Sequence, residues 1–125
     1  MSVLVDTSVW VDHFRRRNAT LVELIRSDMA LTHPMVVLEL ACGTPPQRTQ
    51  TLADLDLLQS VRQASLSEVR AFIDREALFG LGCGLVDMML LTSTFMTPGT
   101  QLWTLDLRLA GLAERFGILH APATR

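Results

Sequence analysis

The sequence predicts an α/β protein built on a parallel sheet with helices over both faces. Three observations predict it. Short apolar runs of strand length alternate with longer stretches of helical spacing, the pattern of parallel strands joined by crossover helices. The first run, Ser2-Val3-Leu4-Val5, is continuously apolar, as expected for a strand buried on both faces. The 125 residues are 49% hydrophobic with a mean hydropathy of +0.30. That length fits a single domain, residues 1–125, able to bury about two-thirds of its unfolded surface.

Taken in order, Ser2–Val5 is a strand that ends at Asp6. Thr7–Arg16 is a helix, with Val9, Trp10 and Phe14 near helical spacing. Thr20-Leu21-Val22-Glu23 matches a capping box and opens a second short helix. Met29–Thr32 is the second strand. Pro34 suits the first turn of a helix running through Glu39 to about Ala41, with Gly43 as its stop. Thr44-Pro45-Pro46 is a loop. Arg48–Leu58 is a helix with Leu52, Leu55 and Leu58 on one face, and Ser65-Leu66-Ser67-Glu68 is a second capping box opening a helix to about Phe79. Gly80, Gly82 and Gly84 make a flexible loop before an apolar helix, Leu85–Met96, with Asp87 in its first turn. Pro98-Gly99 turns into a strand, Gln101–Leu105. Leu107–Phe116 is the last helix, and Ile118–His120 a final edge strand.

Composition excludes several functions. All 11 basic residues are arginine, which rules out a Walker P-loop and a Schiff-base lysine. Cys42 and Cys83 form no C-x-x-C pair, so a structural zinc site is not expected; buried free thiols are. The net charge of −2 excludes nucleic-acid binding by net charge alone. No apolar run approaches the roughly 18 residues of a membrane span. No basic residue precedes the first apolar stretch and Asp6 breaks it, so no signal peptide is read, and a cytoplasmic location is expected.

Most of the 13 acidic residues lie in polar stretches. Four do not. Asp6 follows Val3-Leu4-Val5, Glu39 lies within Val36-Val37-Leu38-Glu39-Leu40-Ala41, Asp87 within Leu85-Val86-Asp87-Met88-Met89, and Asp106 follows Trp103-Thr104-Leu105. Burying a lone carboxylate costs several kcal/mol unless it is paired, protonated or bound to a metal. Only Asp106 has a cation close in sequence, Arg108. One shared divalent cation would neutralise several of these acids together, and hard oxygen ligands suit Mg²⁺ or Mn²⁺. Singly, Asp6, Asp87 and Asp106 also read as helix-start residues, and Glu39, mid-helix, as a residue pointing to solvent.

In order and spacing, these four segments resemble the PIN domain, and most closely the VapC-type toxins of prokaryotic toxin–antitoxin pairs. Val3-Leu4-Val5-Asp6-Thr7-Ser8-Val9-Trp10 resembles the family's opening strand and first acid. His33-Pro34 with Glu39-Leu40-Ala41 resembles its second, Gly82-Cys83-Gly84-Leu85-Val86-Asp87 its third, and Leu102-Trp103-Thr104-Leu105-Asp106 its fourth. The resemblance implies a three-layer α/β/α fold with a central parallel sheet of about four or five strands. It implies a metal-dependent endoribonuclease, with Asp6, Glu39, Asp87 and Asp106 as the acidic site for one or two Mg²⁺ or Mn²⁺ ions. Asp6 and Asp87 are the expected direct ligands; Glu39 and Asp106 act through water or a second ion. Thr7, Ser8 and Thr104 would hold these carboxylates by hydrogen bonds. The resemblance also implies an RNA substrate, a cognate antitoxin and a homodimer. Leu85 stands where relatives often carry an aromatic residue, and Leu107 where they carry a polar or basic one.

Arg15-Arg16-Arg17 is the densest basic run; it reads as an RNA-backbone contact, a helix end favoured by the dipole, or a contact with an acidic antitoxin segment. His13, His33 and His120 share no spacing and read as structural. A phosphoacceptor receiver domain needs a lysine that is absent. A haloacid-dehalogenase-type phosphatase needs D-x-D, but Ser8 stands at the third position. A DNA structure-specific nuclease needs additional DNA-binding elements, for which there is little room. The remaining alternative is a catalytically weak domain that binds RNA or a protein partner without cutting.

Overall fold

The structure, a computed structural model, describes residues 1–122. Four parallel strands form one sheet: β1 (Ser2–Val5), β2 (Ala30–Thr32), β3 (Gln59–Ser60) and β4 (Thr100–Trp103), in the order β3-β2-β1-β4. Seven helices flank it: α1 (Thr7–Arg15), α2 (Ala19–Arg26), α3 (Pro34–Ala41), α4 (Arg48–Asp56), α5 (Leu66–Glu76), α6 (Leu85–Phe95) and α7 (Leu107–Arg115). This is the α/β/α arrangement expected.

Each strand-to-strand step is a two-helix crossover. The chain moves outward from β1 to β2 to β3, then returns to the opposite side of β1 as β4. The order therefore reverses between β1 and β4, and the carboxyl ends of these two strands flank a crevice. β1 is the central strand, and Val3, Leu4 and Val5 are buried as its continuous apolar run requires. The central part of α6 is buried through Met88, Leu90 and Leu91. Its polar Thr92 and Thr94 are satisfied by donating to the carbonyls of Met88 and Leu90 at 2.7 Å. Phe72, Phe95 and Phe116 pack together where α5, α6 and α7 meet.

The structure corrects several sequence expectations. The cap of α2 is Asn18, whose side chain accepts from the Leu21 N–H at 3.0 Å, so Thr20 lies inside the first turn and makes no capping box with Glu23. His13 fixes Asn18 by accepting its backbone N–H at 2.9 Å. At Ser65 both halves of the expected box form. α5 stops at Glu76 because Ala77 turns left-handed, at φ +53°, and sends Leu78 into the core. β4 ends at Trp103 because the Leu105 N–H leaves the ladder to donate to Ser8 Oγ at 3.0 Å. Ile118–His120 adds one parallel bridge, Leu119 to Leu102, and no full strand. β3 has two exposed polar residues, and nothing in its composition marks it. Cys42 is exposed and Cys83 half-buried, so neither is the buried thiol expected. Cys42 lies just past the last turn of α3, and Cys83 in the glycine loop before α6.

Candidate active site

Asp6 follows β1 directly and caps α1, and Asp106 follows β4 and caps α7. Both therefore lie at the crevice where the strand order reverses. Asp87 is the third residue of α6, and Glu39 sits in the second half of α3, the helix after β2. The fold thus brings to one end of the sheet four acids that are widely spaced in sequence.

Their hydrogen bonds share one pattern. Asp6 Oδ2 accepts from Ser8 Oγ at 2.6 Å, Thr104 Oγ1 at 2.8 Å and the Ser8 N–H at 3.4 Å. Asp106 Oδ1 accepts from the Arg108 and Leu109 N–H groups at 2.9 and 3.0 Å. Asp87 Oδ2 accepts from the Gly84 N–H at 3.4 Å, and Glu39 Oε1 from Thr7 Oγ1 at 2.6 Å. In every case the donors fall on one oxygen, and among the described residues the other accepts none. A carboxylate held in this way is oriented but keeps a lone oxygen for a further ligand.

Two hydroxyls join the strand ends. Thr104 Oγ1 donates to Asp6 and accepts from the Asp106 N–H at 3.0 Å; Ser8 Oγ donates to Asp6 and accepts from the Leu105 N–H. Asp6 and the backbone of Asp106 are therefore locked to a common pair of hydroxyls.

Burial differs from the sequence expectation. Asp6 is buried, at 6% exposure, and Asp87 is half-buried, but Glu39 and Asp106 are exposed. Their apolar neighbours Leu38, Leu105 and Leu107 are exposed too, so an apolar sequence window did not mean an apolar environment. The cost of burying charge therefore bears on Asp6 and Asp87. Burial pushes the Asp87 carboxyl above the ordinary aspartate range; the Gly84 N–H opposes that, and the charges of Asp6, Asp106 and Glu39 add to it. Asp87 thus feels the charge of the other three acids.

Among the described residues, no cation forms a salt bridge with the four acids. The salt bridges among the described residues, Arg70–Asp74 and Arg75–Glu76, involve none of the four. Arg108 does not pair with the Asp106 carboxylate; its Nη1 donates to the Gly82 carbonyl at 3.3 Å. The guanidinium lies so close over Gly82 that a Cβ there would come within 2.7 Å of Nη1. The glycine spacing of this loop was visible in the sequence, but its partner was not.

The donor set fits a hard divalent cation: four carboxylates, each with a free oxygen, and mutual repulsion that a cation would relieve. Among the described residues, no three His, Cys, Asp or Glu side chains are placed so that together they could hold a metal ion.

The histidines serve structure. His33 caps α3, its Nδ1 accepting the Met35 N–H at 3.0 Å, and burial lowers its pKa. His120 packs edge-on against Trp103. Arg15, from the basic run, lines a cavity of about 430 Å³ that also touches Thr7 and Glu39.

No protein-family model matches the chain. Among curated proteins, it is 41% identical over 119 residues to the protein named Ribonuclease VapC32 in two Mycobacterium tuberculosis strains, CDC 1551 / Oshkosh and ATCC 25618 / H37Rv. The match covers 95% of this chain and 96% of each relative.

Proposed function

Because the chain belongs to the VapC family of PIN-domain toxins, we propose that it is a toxin ribonuclease whose four acids hold Mg²⁺ or Mn²⁺ for hydrolysis of RNA phosphodiester bonds. The observation that carries the metal reading is the shared pattern of the acids, with one oxygen held by protein donors and one left free. The near-full-length match to a protein named as a ribonuclease supports the substrate class.

A bound cation of this kind supplies Lewis acidity and charge neutralisation at the phosphate. The chain supplies the rest. Ser8 and Thr104 hold the Asp6 carboxylate through Oδ2 and leave Oδ1 without a donor, and the α7 N–H groups hold Asp106 through its Oδ1 alone. Glu39 and Asp87 face them from α3 and α6, leaving an anionic site that repels phosphate until a cation is held. Attack by water leaves a 5′-phosphate and a 3′-hydroxyl. A cognate antitoxin and a second copy of the chain are the proposed partners. Leu81, Leu85, Leu105 and Leu107, which flank the acids in sequence and lie exposed, support cover by a protein.

Cleavage of a defined RNA panel by purified, antitoxin-free protein tests this, in Mn²⁺ or Mg²⁺ against EDTA, with Asp6→Asn alongside. Cutting should require the metal and vanish in the variant, which keeps acceptor oxygen for Ser8 and Thr104. Cutting that survives both EDTA and Asp6→Asn would overturn the metal site.

A further inference from the structure

The cavity beside the acids lies between the exposed stripe of α1 and the end of α3. Thr7, Val11 and Arg15 line it at four-residue spacing, so they share one face of α1. Thr7, hydrogen-bonded to Glu39, marks the end at the acids, and Arg15 marks the other, about 12 Å further along the helix. The remaining wall is Phe14 and the loop ending in Pro45-Pro46.

This wall is braced. Arg48 Nη2 donates to the Ala41 carbonyl at 2.7 Å and its Nε to the Gly43 carbonyl at 3.3 Å, while Thr51 Oγ1 donates to the Pro46 carbonyl. Phe14 is held on its other side by Trp10 and His13. Arg15, unlike Arg48, makes no hydrogen bond or salt bridge among the described residues, so its guanidinium is available to a ligand. The cavity is of small-ligand size, with apolar faces from Val11, Phe14, Pro45 and Pro46, Arg15 at the far end, and Glu39 of the acidic site in its wall.

We propose that this cavity is a nucleoside subsite: it takes one unpaired nucleotide of the RNA next to the scissile bond, while Arg15 binds the adjoining phosphate. The inference rests on the ribonuclease reading and adds where the substrate lies. The far-end cation favours an anionic occupant, and a cavity of about 430 Å³ has room for a single nucleotide. Aromatic and proline faces contact any base, so the subsite gives a preference among nucleotides and no strict code.

The test uses a fluorescein-labelled single-stranded oligoribonucleotide containing a site that the wild-type protein cuts. Arg15→Gln should raise KM about tenfold and spare kcat, as loss of a charge-assisted contact uniform to ground and transition states does. It should also make the dependence of log(kcat/KM) on log salt shallower by about 0.7. Val11→Trp, which fills the cavity from an exposed position, should shift the nucleotide preference at the cleavage site, read by sequencing product ends. Thr44→Trp on the exposed loop replaces it if Val11→Trp does not fold. Wild-type protein that neither cuts nor binds any RNA defeats the ribonuclease reading, and the subsite with it. Wild-type cutting with KM, salt slope and site preference unchanged in the variants overturns the subsite alone. Unchanged RNA behaviour with loss of neutralisation by the antitoxin would assign the cavity to a protein helix, which also overturns it.

Discussion

The two sides of the acidic site are built differently. On the strand side, Asp6 is buried and takes three donors on one oxygen, and the same hydroxyls hold the backbone beyond β4. On the helix side, Glu39 is exposed and takes one hydroxyl, while Asp87 takes a single N–H at 3.4 Å. The strand side is part of how β1 and β4 are joined; the helix side is attached to the fold but does not hold it together. In the proposed cation site, one rigid wall and one adaptable wall suit an ion that keeps several of its waters. It follows that mutations on the two sides should separate stability from activity.

The largest combined effect is expected at Ser8. Ser8→Ala removes a donor from buried Asp6 and an acceptor from the Leu105 N–H. Leaving such groups unpaired costs about 1–3 kcal/mol, a fall in Tm of roughly 3–10 °C for a domain this size. Metal-dependent cleavage should fall at least tenfold, since Asp6 loses orientation. Thr104→Val should act in the same direction, and the double variant should cost less than the sum, because both hydroxyls serve one carboxylate. Additive effects, or an unchanged Tm, would break the distinction between the two sides.

An intermediate effect is expected at the loop that leads into α6. Gly82 has φ +86° and lies under the Arg108 guanidinium. In Gly82→Ala the new Cβ must displace a flexible arginine end and accept a left-handed backbone, at about 1 kcal/mol. Thermal melting should show a drop of a few degrees. Cleavage should fall several-fold through Asp87, whose one donor among the described residues is the Gly84 N–H, two residues past Gly82. Full activity in Gly82→Ala would show that this loop does not position Asp87.

How far these features were legible in the sequence follows the same division. Asp6 and Asp106 could be placed because each ends a strand and starts a helix, two local signals that agree. The hydroxyl seam could be guessed only in part: Thr104 meets Asp6 across 98 residues of sequence, and only the β1–β4 pairing brings them together. The exposure of Glu39 and Asp106 does not follow from their apolar sequence neighbours, because those neighbours are themselves exposed, Leu107 at 87%. β3 was invisible, since two polar residues carry no period. The Arg108–Gly82 contact and the Arg15 cavity depend on how separate elements pack, which no local pattern encodes.

The smallest structural effect, and the sharpest test of the comparison, is expected at Thr7. Val has nearly the shape of Thr, and Thr7 opens α1 at a partly exposed position. Thr7→Val takes one donor from Glu39, which remains in contact with water, so no buried group is left unpaired. Stability should stay within about 0.5 kcal/mol of wild type, and melting curves should nearly overlay. What changes is the freedom of Glu39, whose side chain must now be ordered when a cation binds. The Mn²⁺ concentration for half-maximal cleavage should therefore rise by about threefold to tenfold, at the low end of what loss of a ligand-orienting contact costs. At saturating Mn²⁺ most of the rate should return. Ser8→Ala should not recover in this way, because metal cannot restore the seam between β1 and β4. A Thr7→Val protein that melts as early as Ser8→Ala, or that excess Mn²⁺ cannot rescue, would mean that both sides of the site are equally structural and that the adaptable wall does not exist.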